Sequence, residues 1–100
     1  MKKIHHVVLL KFKGGTGEAT IAALFAALAG LQHTLPGIQH FCGGPYASPE
    51  GMNQGFSHAF IMTFRDAEAR NLYLDHPAHE KIKAEFLPSI ESVVAFDFEE

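Results

Sequence analysis

Ile4-His5-His6-Val7-Val8-Leu9-Leu10-Lys11-Phe12-Lys13 is the stretch on which the fold turns. It reads as a strand, and alternation divides it into two rows. His6, Val8, Leu10 and Phe12 form one row; His5, Val7, Leu9 and Lys11 form the other. Both rows are largely apolar, so both faces of the sheet call for cover. Gly55-Phe56-Ser57-His58-Ala59-Phe60-Ile61-Met62-Thr63-Phe64 repeats the pattern, with His58, Phe60, Met62 and Phe64 opposing Ser57, Ala59, Ile61 and Thr63. In each strand a histidine heads an otherwise apolar row.

Outward from these strands the chain alternates cleanly. Gly14-Gly15-Thr16-Gly17 breaks the first strand. No Lys-Ser/Thr pair follows the glycines, so they read as a flexible connection rather than a phosphate loop. Glu18 to about Thr34 is a helix: Ile21, Leu24, Phe25, Leu28, Leu31 and Leu35 recur at three and four residues and make one apolar face. Pro36-Gly37 stops it. Ile38 to Gly43 is a second strand, expected to set Ile38, His40 and Cys42 against Gln39, Phe41 and Gly43. A loop from Gly44 to Gly55 leads to the third strand. Asp66 is expected to cap a helix running to His76, and a further helix spans Ala78 to about Phe86. Glu91 to Phe98 closes the chain as the fourth strand, with Val94, Phe96 and Phe98 opposing Val93, Ala95 and Asp97.

Strand, helix, strand, strand, helix, strand is the ferredoxin-like split βαβ order, an α+β fold whose four-stranded antiparallel sheet carries helices on one face. Residues 1–100 make a single domain. The open face of such a sheet is ordinarily polar. Here Val7, Leu9, Ala59, Ile61, Val93 and Ala95 are expected to form a second apolar surface. A homodimer through that apolar sheet face is the simplest closed solution.

Composition removes several function classes. With 47% hydrophobic and 19% charged residues the chain is globular. Only eight lysines and arginines, against a net charge of -3, leave no concentrated basic footprint, so no nucleic-acid partner is expected. No apolar run approaches membrane-spanning length, and Lys11-Phe12-Lys13 interrupts the only leader-like segment, so the expectation is a cytoplasmic protein without a membrane partner. The single cysteine, Cys42, forms no internal disulfide and is expected as a quiet core thiol.

The functional signal lies in Tyr73-Leu74-Asp75-His76-Pro77-Ala78-His79. Pro77 turns His76 out of the helical region yet suits a first helical turn, so His76 marks a junction between helices. A phenol and two imidazoles flank that junction. With His6 and His58 on the helix-facing side of the sheet, Leu24, Phe25 and Leu28 of the main helix lie opposite, and Val8, Leu10 and Phe60 continue the floor. The product is an apolar pocket with few polar groups, the usual form of a small-molecule site. The spacing is compatible with His79 as a general base and Tyr73 as a hydrogen-bond donor to a developing oxyanion, roles that a family resemblance also implies. The opposing reading gives Tyr73 a packing role and has His76 and His79 tie the helix junction through backbone groups. His76 and His79 have a chelating spacing, but Pro77 interrupts it and no third ligand follows, so neither metal nor cofactor is expected.

Together, the first strand, Gly55-Phe56-Ser57-His58, the Tyr73–His79 segment and terminal Asp97-Phe98 resemble the stress-responsive dimeric α/β barrel domain family over essentially the whole chain. The resemblance implies a dimeric ferredoxin-like barrel. One plant member of that family closes a linear polyketide by intramolecular aldol condensation. Its catalytic tyrosine and histidine match Tyr73 and His79, its pocket histidines match His6 and His58, and a pocket phenylalanine matches Phe25. Its second pocket tyrosine falls on Leu28, which removes a hydroxyl and implies a different substrate. Three functions therefore stand side by side. They are a cofactor-free cyclase- or lyase-like enzyme on a carbonyl compound, a ligand-binding or stress-protective homodimer without turnover, and a structural assembly module.

Overall fold

The computed structural model describes residues 2–100. Its strands are β1 (Ile4–Phe12), β2 (Ile38–Pro45), β3 (His58–Phe64) and β4 (Ile90–Glu99); its helices are α1 (Glu18–Gly30), α2 (Ala67–Leu74) and α3 (Pro77–Phe86). The strands pair antiparallel throughout, in the order β2-β3-β1-β4. This is the expected ferredoxin-like sheet, with α2 and α3 together filling the place of its second helix. α1 ends earlier than its apolar stripe because Leu31–His33 tighten into a 3-10 turn ahead of Pro36 and Gly37. Gly37 takes φ +98°, and a Cβ there would lie 2.6 Å from the Ala69 Cβ, so the turn requires glycine.

β1 and β3 adopt the alternation read from their sequences. Val8 and Leu10 pair beside Phe60 and His58, and with Met62 and Phe64 they form the buried floor under α1. Ile21, Leu24, Leu28, Leu31 and Leu35 close it from above.

Two face assignments change. In β4, Val93 pairs with Leu10, Ala95 with Val8 and Asp97 with His6, and directly paired residues share a face. Val93 and Ala95 therefore lie on the helix side. The outer apolar surface is instead Val7, Leu9, Ala59 and Ile61 with Val94, Phe96 and Phe98. In β2 the register shifts between Ile38 and His40. The bulge puts Ile38 and Phe41 on one side and turns Cys42 outward on an edge strand, where it is exposed rather than a core thiol.

The connection after β2 holds itself together. The Tyr46 hydroxyl accepts from the Gly51 N–H at 2.7 Å, and the Asn53 amide donates to the Phe56 carbonyl at 2.7 Å.

Candidate functional site

The α2–α3 junction is built by its own sequence. Asp66 caps α2 by accepting from the Ala69 N–H at 2.9 Å. His76 sits in extended geometry (φ -66°, ψ 139°), as a residue before proline should, and its Nδ1 accepts from the Ala78 N–H at 3.0 Å. Pro77 then occupies the first helical turn, where its missing N–H costs nothing. His76 is thus the N-cap of α3.

That cap brings His79 back over α2. The His79 Nδ1–H donates to the Leu74 carbonyl at 3.0 Å, and its ring stacks on Tyr73 with centroids 4.1 Å apart. With Nδ1 carrying the proton, neutral His79 presents a bare Nε2. Burial pushes the imidazole below its ordinary pKa, overcoming the opposite effect of the Leu74 carbonyl. At neutral pH the ring is accordingly an acceptor.

Tyr73 is 1% exposed, yet its hydroxyl forms no hydrogen bond with the described residues. Burial first, and the Asp97 charge second, push its phenol far above the ordinary value, so it stays protonated. A neutral phenol is a donor. Beside a neutral imidazole it forms a donor and acceptor pair that needs no charge to be buried.

Both groups line a cavity of about 250 Å³ between the sheet and α1 and α3. Its floor is His6, Val8, Leu10 and Phe60, and Leu24 and Leu28 come from α1. Ile82 and Phe86 of α3 complete the wall. Exposed Val93 and Ala95 reach its margin from edge strand β4, where the helices give little cover. Apart from His6, Tyr73, His79 and Lys83, the lining is apolar.

Of the residues singled out in the sequence, the structure brings together eight: His6, Val8, Leu10, Leu24, Leu28, Phe60, Tyr73 and His79. Phe25 and His58 lie elsewhere. They face each other at 5.9 Å between centroids and line a separate groove with Gly43 and Pro45. His58 shares the helix-side row with Phe60, but it pairs with Leu10, four residues along β1 from His6. At strand rise that is about 13 Å from the phenol–imidazole end. The Ser57 hydroxyl and His58 Nδ1 are 2.8 Å apart, so this imidazole has a local partner.

Two polar residues escaped the sequence reading as site residues. The Asp97 Oδ1 lies 2.6 Å from His6 Nδ1, and its Oδ2 accepts from the Arg70 guanidinium at 2.7 Å. Desolvation acts to raise the Asp97 pKa, but the hydrogen bonds from His6 and Arg70 prevail and hold it below the ordinary carboxylate range. The discernible signal was an acid standing in the same alternate row as Val93 and Ala95.

His5 faces the outer side, with Nδ1 3.0 Å from the Thr63 hydroxyl and Nε2 on Glu100. Among the described residues, no three histidine, cysteine or carboxylate side chains are placed to hold one metal ion, and no helix is long and apolar enough to cross a membrane.

The family profile described as Stress responsive A/B Barrel Domain matches residues 4–100. The stress-response A/B barrel domain-containing protein HS1 of Arabidopsis thaliana is 34% identical over 95 residues, covering 95% of this chain and 87% of its own. The olivetolic acid cyclase of Cannabis sativa is 25% identical over 95 residues, covering 95% and 94%. Among solved structures, a dimeric ferredoxin-like protein from Jannaschia superposes with a TM-score of 0.88 at 27% identity, covering 98% of this chain and 99% of that one.

Proposed function

The chain belongs to the stress responsive A/B barrel domain family, and on that premise we propose that its cavity binds a small apolar or aromatic carbonyl compound and performs cofactor-free acid–base chemistry on it. One observation carries the reading. The Leu74 carbonyl ties down the Nδ1–H of His79, which leaves Nε2 as a lone pair beside a protonated phenol that has no hydrogen-bond partner among the described residues, at the wall of an apolar cavity.

The chemistry follows from those two groups. His79 Nε2 takes a proton from the carbon next to a bound carbonyl, and the C–H electron pair moves into an enolate. The Tyr73 O–H donates to the enolate oxygen as its charge develops. Addition of the enolate carbon to a second carbonyl makes a C–C bond, and the proton on His79 goes to the new alkoxide. The reverse sequence cleaves that bond. Such use of an enolate is the logic of a cyclase or lyase, and the similarity to olivetolic acid cyclase supports it. Leu28, which the family resemblance sets at the place of a second pocket tyrosine, removes a hydroxyl and implies a substrate different from that enzyme's.

The site sits in a homodimer. Phe96, 65% exposed, and Phe98, 47% exposed, lie with Val94 and Ile61 on the open sheet face, a surface that a second copy would cover. The Jannaschia relative, itself dimeric, supports a dimeric assembly.

Binding without turnover is the second reading, and the predominantly apolar cavity lining favours it. Deuterium exchange into the methyl group of acetophenone, followed by proton NMR, separates the two. The enzyme reading expects exchange above the buffer rate that His79→Gln abolishes. Binding without accelerated exchange leaves the ligand-binding dimer. Absence of binding by a panel of aryl ketones removes the cavity from both.

A further inference from the structure

The Arg70–Asp97–His6 chain ends on the cavity that the proposed chemistry uses, although two of its members lie outside it. Asp97 and Arg70 line a different surface cleft, with Ile4 and Phe98 at its sides. His6 lines the cavity. Its ring is held edgewise by three neighbours, with centroids 5.6 Å from Tyr73, 6.2 Å from Phe60 and 6.3 Å from Phe64. A ring so enclosed does not turn freely, so the group bonded to one nitrogen decides what the other presents.

We propose that Asp97 and Arg70 are positioning residues that fix His6 with its proton on Nδ1 and its bare Nε2 toward the cavity, making His6 a second imidazole acceptor for the bound molecule. The chemistry of the contact sets the direction. Asp97 is ionised and has no proton to donate, so the 2.6 Å contact requires an Nδ1–H. Arg70 occupies the other carboxylate oxygen at 2.7 Å, which prevents that oxygen from swinging round and orients Asp97. Nε2 has no hydrogen-bond partner among the described residues. His6 and His79 therefore both lie against Tyr73, the first edge-on and the second stacked, each anchored through Nδ1, one by a carboxylate and one by a carbonyl. A molecule that satisfies both needs a hydroxyl or another acidic hydrogen for His6 besides the group that engages Tyr73 and His79. The cavity thus selects hydroxylated or enolic compounds over their ethers.

The selectivity rests on the proposed binding function, but the tautomer does not, and two measurements keep them apart. Long-range ¹H–¹⁵N NMR of wild-type protein above the histidine titration range reads the His6 tautomer directly. A protonated Nδ1 and bare Nε2 are expected. A protonated Nε2 overturns the proposal without reference to any ligand. In Asp97→Asn the side-chain amide donates to Nδ1, and the proton is expected to move to Nε2, a change that loss of packing alone does not produce. An unmoved proton in a folded Asp97→Asn protein also overturns it, and the wild-type spectrum decides the matter if that variant does not fold. Affinities for 2-naphthol and 2-methoxynaphthalene then read the consequence. Wild type is expected to favour the naphthol about tenfold, the worth of one hydrogen bond, and Asp97→Asn to lose that preference. Equal wild-type affinities remove the acceptor role. If neither probe binds, the binding reading falls and the tautomer result stands on its own.

Discussion

Tyr73 and His79 stack with ring planes 26° apart, although a helix end, a proline and a new helix start lie between them. The stack uses the ring of Tyr73, and its hydroxyl makes no hydrogen bond with the described residues. Packing and chemistry are therefore separable by mutation. Tyr73→Phe keeps the ring and loses no hydrogen bond to a described residue, so its stability should stay within about 1 kcal/mol of wild type. Tyr73→Ala empties a fully buried site and should cost about 3–5 kcal/mol. Urea unfolding of the pair checks this. Equal losses would show that the hydroxyl carries a structural bond.

The junction owes its shape to His76. Removing the imidazole in His76→Ala deprives the Ala78 N–H of its partner and should cost about 1 kcal/mol, while His76→Asn, a competent cap, should recover most of it. The same variant should loosen His79 over Tyr73. The ring-current displacement of the His79 carbon-bound protons reports that directly, and an unchanged displacement would mean that the Leu74 carbonyl alone holds the ring.

Buried Tyr73 and half-buried His79 give stability a pH dependence at both ends. Folding lowers the His79 pKa from 6.5, so the unfolded chain binds that proton more readily. Its contribution is full above 6.5 and is lost as pH falls through the lower folded value. Folding raises the Tyr73 pKa from 10.0, so its contribution is full below 10.0 and declines as pH rises beyond it. In pH-resolved urea titrations, His79→Gln should flatten the acid limb and Tyr73→Phe the alkaline one. An acid limb of undiminished slope in His79→Gln would assign the effect to other histidines.

Gly43 marks the groove that holds Phe25 and His58. A Cβ built there would lie 2.6 Å from the Ala59 carbonyl oxygen and 2.7 Å from both the Phe25 ring and the Phe60 Cβ. Two of those three atoms are backbone or next to it and cannot yield. Gly43→Ala should cost about 1–3 kcal/mol and displace Phe25, with the Tyr73–His79 end undisturbed. Chemical shifts that change throughout the cavity would show that the two ends are mechanically one.

What was legible in the chain was periodicity. The rows of β1 and β3, the stripe of α1 and the Pro77 junction are local patterns, and each appears where its own residues put it. What depended on pairing was not. Alternation divides β4 into two rows but does not say which row faces the helices; only the Leu10–Val93 and Val8–Ala95 pairs decide that. The bulge near Gln39 inverts the faces of β2 without a glycine or proline to announce it. His58 shows a further limit, since a row fixes a face but not a position along it. Asp97 meets His6 across 91 residues, a contact that only the β1–β4 register creates.

Phe96 carries the strongest test of assembly. It lies on edge strand β4, paired with Val7 of the inner strand β1, and is 65% exposed, a large apolar area for an unaccompanied sheet to leave in water. In a two-fold pair each substitution acts twice. Burying a phenylalanine is worth about 1.5–3 kcal/mol, so Phe96→Ser should weaken the dimer by about twice that, a hundredfold or more in its dissociation constant. Sedimentation equilibrium should show wild type as a dimer and Phe96→Ser shifted to monomer at the same concentration. Because Phe96 lies outside the helix-side core, the monomer's NMR spectrum should keep the Tyr73–His79 signature. A wild-type protein that sediments as a monomer would refute the two-fold arrangement. A Phe96→Ser dimer of unchanged affinity would move the interface to another face of the sheet.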